Sequence, residues 1–290
     1  MPTNPKSPAE SWLSRNFPQQ HALSAEIGTD LRSHTPIPVD VADKAFLGNL
    51  MEYAIGLSLC DRPPYLDRFR LLGEDRAGRL LGRAGYHKDG TADRNSWWRG
   101  ALTPSPTGVF HAAYRLAQVN ELLNPRWAGR PDPEMIARIL ERHPDAVPPH
   151  GIETGFERLA FDDLWTSYAS GFYAALRSYG TATAKVLLLN GLRQADFFVG
   201  TTILEVKSGR LDQGLYLTQL INQMISYALL ARFDGHPVTH VAAYAIRYQR
   251  LLRFRIEPFL ARLADRRLDL GKASAEFASI LQDPSYRTAA

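Results

Sequence analysis

The sequence predicts an α/β chain in which the strands gather late. Between residues 185 and 256, strand-length runs of aliphatic, aromatic and β-branched residues alternate with glycine or polar turns. One long apolar stretch with a helical repeat, 215–233, interrupts them. Before them, most of residues 41–180 reads as amphipathic helix broken by polar loops.

The chain has 290 residues, enough for one large domain or for a core with an elaborate insertion. A hydrophobic content of 45% and a charged content of 22% suit a sizeable folded core. The formal charge of +4 favours a polyanionic partner without demanding one. Arginine supplies most of the positive charge; the only lysines are Lys6, Lys44, Lys88, Lys185, Lys207 and Lys272. Cys60 is the sole cysteine, so no disulfide forms within the chain and an iron–sulfur cluster is excluded. No signal-like or 18-residue apolar run occurs, and the expectation is a cytoplasmic protein with no membrane contact.

Residues 1–40 hold prolines at 2, 5, 8, 18, 36 and 38 and read as an N-terminal arm with one short helix near 9–16. Asp40 offers an N-cap for a helix through Leu59, which carries Glu52 among its polar positions. Residues 61–81 suggest a turn and a short helix, and 82–106 a loop. In that loop Trp97 and Trp98 lie beside Arg94 and Arg99; anchoring the loop is the commoner role of such a pair, and base stacking the rarer one. Helices are expected at 108–123, at 133–143 behind Asp132-Pro133, and at 162–179, with a boundary at 144–151. His87, His111, His143 and His150 are scattered, with no spacing for zinc.

Residues 185–190, K-V-L-L-L-N, form a continuous apolar run expected to be a strand buried on both faces. Residues 194–209 then read Q-A-D-F-F-V-G-T-T-I-L-E-V-K-S-G. Gly200 fits the first central position of a type II′ hairpin turn, which needs positive φ. That turn sets Val199 against Thr202, Phe198 against Ile203, Phe197 against Leu204, and Asp196 against Glu205. Opposed Cβ atoms lie roughly 4.5–5.5 Å apart. Lys207, two residues beyond Glu205, shares its face, whereas Phe197, Val199, Leu204 and Val206 make an apolar face that reads as core. Two carboxylates and an ammonium therefore converge, and such oxygen donors suit a hard divalent cation.

The helix at 215–233 presents Leu217, Leu220, Ile221, Met224, Ala228 and Leu229 inward, with Gln219, Gln223 and Tyr227 as a polar-tipped stripe at i, i+4 and i+8. Strands follow at 239–247 and 251–256, with Arg247, Arg250, Arg253 and Arg255 near their connection. These arginines suit either phosphate contact or a charged sheet edge. Residues 258–280 read as helix before a frayed tail. No Walker A loop occurs, which excludes a helicase or ATPase of that type.

The order D-x8-E-x-K (Asp196, Glu205, Lys207) followed by Q-x-x-x-Y (Gln223, Tyr227) resembles the PD-(D/E)XK nuclease superfamily, in its RecB-like and lambda-exonuclease-like branch. Ala195 stands where that family often has proline. The resemblance covers about 187–257. It extends to the helix at 40–59 if Glu52, in the form G-x-x-x-E with Gly48, is the acid that many relatives place on the first helix. Glu157, Asp162 and Asp163 are rivals for that role.

The resemblance implies a restriction-endonuclease-like mixed sheet flanked by helices, core order α-β-β-β-α-β, with 61–180 as a mainly helical insertion. The parts are then an arm at 1–40, a first core helix at 41–60, the insertion, a nuclease core at 181–258 and a helical tail at 259–290. It also implies a nuclease acting on a nucleic acid, with DNA the expected substrate. Mg²⁺ or Mn²⁺ would be held by Asp196, Glu205 and the Val206 backbone carbonyl, Lys207 would handle the attacking water, and Gln223, Tyr227 and Gln219 would position substrate. The rival class is a non-catalytic nucleic-acid-binding or assembly module of the same fold.

Overall fold

The structure, a computed structural model, describes residues 7–39, 44–88, 97–99, 106–123, 156–211 and 214–283. It divides into two units, one of Met1–Pro36 with Lys185–Ala290 and one of Ile37–Ala184. The chain enters the first unit through α1 (Pro8–Asn16), whose start is fixed by a capping box. The Ser7 hydroxyl accepts from the Glu10 N–H, and the Glu10 carboxylate accepts from the Ser7 N–H. A second helix, α2 (Gln20–Arg32), follows where the sequence suggested a draped arm. The prolines bracket this helix at 18 and at 36 and 38 rather than interrupting it. Leu23, Ile27 and Leu31, one helical face, are buried.

The second unit is mostly helical: α3 (Lys44–Leu59), α4 (Leu66–Arg70) and α5 (Glu74–Arg83), then a short ribbon, then α6 (Pro106–Leu123), α7 (Phe156–Ser167) and α8 (Tyr173–Arg177). The expected single helix at 162–179 is thus two helices joined by a π-turn, Tyr168–Phe172. α3 packs on α6, α7 and α8. The ribbon pairs β1 (Tyr86–Lys88) antiparallel with β2 (Trp97–Arg99), where a loop was expected. Three-residue strands carry too little alternation to show in a sequence. The insertion is mainly helical as expected, but this second sheet, small as it is, counts against the nuclease-superfamily resemblance. Trp97 lies across α5 near Gly78 and beneath the Lys88 ammonium, so it anchors the ribbon. The helix expected at 133–143, the boundary at 144–151, Arg94, His143 and His150 lie outside the described residues, as do the side chains of Trp98, Arg99 and Glu157.

The main sheet has five strands in the order β3 (Ala182–Leu188), β4 (Arg193–Val199), β5 (Thr202–Lys207), β6 (His240–Ala245) and β7 (Arg250–Arg255). It is mixed: β4–β5 and β6–β7 are antiparallel, and β5–β6 is parallel. β3 is an edge strand, not a doubly buried one, and Leu187 is 60% exposed. A run of apolar residues cannot by itself distinguish an edge from a centre. Gly200 has φ 56° and Thr201 is not in the positive region, the type II′ pattern that matches hairpin twist. β5 is buried on both faces over residues 202–205, so the apolar face expected to be the core is only one of two covered faces.

The parallel pair β5–β6 needs a crossover, and α9 (Gly214–Phe233) supplies it. Every inward position expected for this helix is buried, and residues 224–231 are buried all round, so α9 is the central helix of the unit. It packs against α2 and α11 (Leu270–Gln282), while α10 (Ile256–Ala264) follows β7 directly. α9 ends in a Schellman motif: the His236 N–H donates to the Ala231 carbonyl and the Gly235 N–H to that of Arg232. Gly235 holds φ 75° there. No helix among the described residues is long and apolar enough to cross a membrane.

Candidate active site

The hairpin keeps the expected register for Val199–Thr202, Phe198–Ile203 and Phe197–Leu204. The recorded ladder then stops one pair short of Asp196 and Glu205. The Asp196 carboxylate replaces the next backbone partner: its Oδ2 accepts from the Val206 N–H at 2.9 Å. The Val206 N–H is thereby tied to the Asp196 side chain. This contact turns the Asp196 side chain toward β5 and holds it at the mouth of the hairpin.

Glu205 is 3% exposed, and its Oε1 accepts from two donors. Lys207 Nζ lies 2.5 Å away, and Gln223 Nε2 donates at 2.9 Å. Alternation along β5 puts Glu205 and Lys207 on one face, and α9 lays Gln223 over that face. Gln223 Nε2 also donates to the Tyr227 hydroxyl oxygen at 2.7 Å, and Tyr227 donates to the Gln194 carbonyl at 2.8 Å. Tyr227 must be neutral to donate.

Both carboxylates bear on Tyr227. Its hydroxyl is pushed far up from the ordinary value of 10.0, first by burial, then by the charge of Glu205, and further by Asp196; only the hydrogen bond from Gln223 acts the other way. A phenolate there would be stripped of water and repelled by two acids.

Asp196, Glu205, Lys207, Gln223 and Tyr227 thus come together as the sequence suggested. Gln219 is exposed one turn earlier on α9. Glu52 is half-buried on α3, in the second unit. Of its rivals, Asp162 is held by Arg158 in an i, i+4 pair and Asp163 is exposed. Of the arginines near β7, Arg253 and Arg255 both bear on His240, whose imidazole is pushed below its ordinary value first by burial and then by their charge. Arg250 forks onto Asp30 of α2 at 2.9–3.1 Å, Arg253 reaches Thr202, and Arg247 is buried. Arg255 lies at the far end of β7, paired with His240.

Sequence reasoning missed one residue, Lys185. Its ammonium stands 4.0 Å from Asp196 Oδ1, with the two side chains only 22% and 13% exposed. No spacing signals it, because its backbone at φ 54° departs from regular strand geometry.

Among the described residues, no group of three or more His, Cys, Asp or Glu side chains comes together. The side-chain carboxylates at the site that could serve a metal are Asp196, through Oδ1, and Glu205. A small hard cation such as Mg²⁺ keeps several waters and commonly uses only one or two carboxylates, so this donor set fits it. No protein-family model, curated protein or solved structure matches the chain.

Proposed function

We propose that the chain is a divalent-metal-dependent nuclease that hydrolyses phosphodiester bonds of nucleic acid, with DNA the expected substrate. One observation carries the proposal: Lys207, Glu205, Gln223 and Tyr227, two short motifs from separate elements, join in one hydrogen-bonded chain beside Asp196. A solvated hairpin surface would not bury Glu205 or cover it with a glutamine from α9. Parallel strands β5 and β6 around α9, with β4 paired on the other side, agree with the core that the PD-(D/E)XK resemblance implies.

In this reading Asp196 and Glu205 would hold Mg²⁺ or Mn²⁺. The bound cation would supply Lewis-acid polarisation and a lowered water pKa. Lys207 orients the attacking water or meets the charge that develops on the phosphoryl oxygens. Gln223 fixes the Glu205 carboxylate, and Tyr227 fixes Gln223. Gln219, exposed on the same stripe, would meet the substrate strand.

A second reading is a non-catalytic nucleic-acid-binding module. A cavity of about 430 Å³ lined by Arg232, His236, Thr239 and Arg255, beside Glu257, favours anion binding away from the carboxylates. Incubating the purified chain with linear and circular, single- and double-stranded DNA and RNA separates the two. Cleavage with Mg²⁺ or Mn²⁺ that EDTA stops, and that Asp196→Ala abolishes, is expected. Binding without cleavage under every condition would overturn the nuclease proposal.

A further inference from the structure

Lys185 occupies a conformation that lysine adopts at a cost, with φ 54° in the middle of edge strand β3. Its ammonium faces a mostly buried carboxylate, Asp196, at 4.0 Å from Oδ1, beyond direct hydrogen-bond length. The other Asp196 oxygen is already fixed by the Val206 N–H. At Glu205 the equivalent lysine, Lys207, sits at 2.5 Å and makes a hydrogen bond. Each carboxylate therefore has one lysine, but one pair is tight and the other loose. The tight pair holds Lys207 to its acid, while at 4.0 Å Lys185 makes no direct hydrogen bond to Asp196 Oδ1.

We propose, on the basis of the metal site proposed above, that Lys185 is the resident counter-charge of Asp196 and competes with the divalent cation for that carboxylate. The ammonium offsets the buried negative charge when no metal is bound. A divalent ion at Oδ1 then meets the repulsion of a nearby positive charge. Lys185 is a positioning residue in this scheme, not a catalytic one. It sets how much metal is needed to fill the site, and so prevents tight loading at low metal concentration.

The test is calorimetric titration of Mn²⁺ into the EDTA-stripped full chain. Lys185→Met removes the charge and keeps the apolar stem. Lys185→Asn removes the charge with a residue that tolerates positive φ, and so guards against a folding failure. Both should bind Mn²⁺ on the order of tenfold more tightly than wild type. Lys185→Arg should match wild type, and Asp196→Ala should lose the site in every background. In the metal-free protein, a denaturation cycle of Lys185→Met with Asp196→Asn should show coupling between the two residues. If wild type binds Mn²⁺ and neither neutral variant binds it more tightly, the competition is refuted while the nuclease proposal stands. If no variant binds Mn²⁺ at Asp196, the metal site falls, and the competition with it.

Discussion

Lys207 Nζ lies 2.5 Å from Glu205 Oε1, so the lysine at the site is held by an acid two residues away on the same strand face. The pairing gives the two residues separable roles. Lys207→Ala should retain Mn²⁺ binding, no weaker than wild type, and lower the cleavage rate by about 10²–10⁴. Asp196→Ala should abolish cleavage by removing a ligand. Glu205→Gln should weaken Mn²⁺ binding without unfolding the chain. Calorimetry beside initial rates resolves all three; wild-type cleavage by both alanine variants would place the active site elsewhere.

Tyr227 is 4% exposed and bridges Gln223 to the Gln194 carbonyl. Tyr227→Phe removes the hydroxyl but not the ring, leaving that carbonyl without its donor. The expected loss is about 1–3 kcal/mol of stability, measured by urea denaturation. Gln223→Ala should cost less stability and instead raise KM for nucleic acid, because its amide holds the acid in place. A Tyr227→Phe variant as stable as wild type would show that the relay contributes nothing to the fold.

The raised Tyr227 hydroxyl also sets a pH dependence. The folded chain keeps this proton while the unfolded chain releases it from about pH 10, the ordinary tyrosine range. The stabilisation is therefore complete below about pH 10 and is lost as pH climbs above it. The stability gap between wild type and Tyr227→Phe should narrow between about pH 9 and pH 11. Denaturation curves for both at each pH give the gap, and a constant value would refute the linkage.

Arg250 and Asp30 form a forked pair between β7 and α2, with both side chains about two-fifths exposed. Arg250→Met should cost no more than about 1 kcal/mol. It should leave the salt dependence of nucleic-acid binding unchanged, because the guanidinium is already engaged within the protein. A shallower salt slope in the variant would show that Arg250 contacts phosphate after all.

The sequence made the hairpin legible because turn chemistry and alternation agree there. Gly200 fixes the turn, and the turn fixes which residues face one another. The stripe of Gln223 and Tyr227 was legible for the same reason, since helical spacing decides which residues share a face. What escaped notice was decided by tertiary placement. The run 185–190 looked central because nothing in its composition reports how many neighbours a strand has. Lys185 looked like the start of that strand because a single positive φ leaves no trace in the sequence. α2 was hidden by the prolines around it, although Leu23, Ile27 and Leu31 carried a helical repeat. β1 and β2 pair across a gap in the chain longer than either strand.

The crossover from β5 through α9 to β6 has a consequence for how the site comes into being. All the residues of the relay fall between Gln194 and Tyr227, so neither end of the chain is needed to supply one of them. Their contacts close short loops, and short loops close early and fast. The hairpin and the helix over it form a unit that could acquire its reactive geometry before α11 packs on α9. During synthesis the relay would thus be partly assembled while α11 was still unmade.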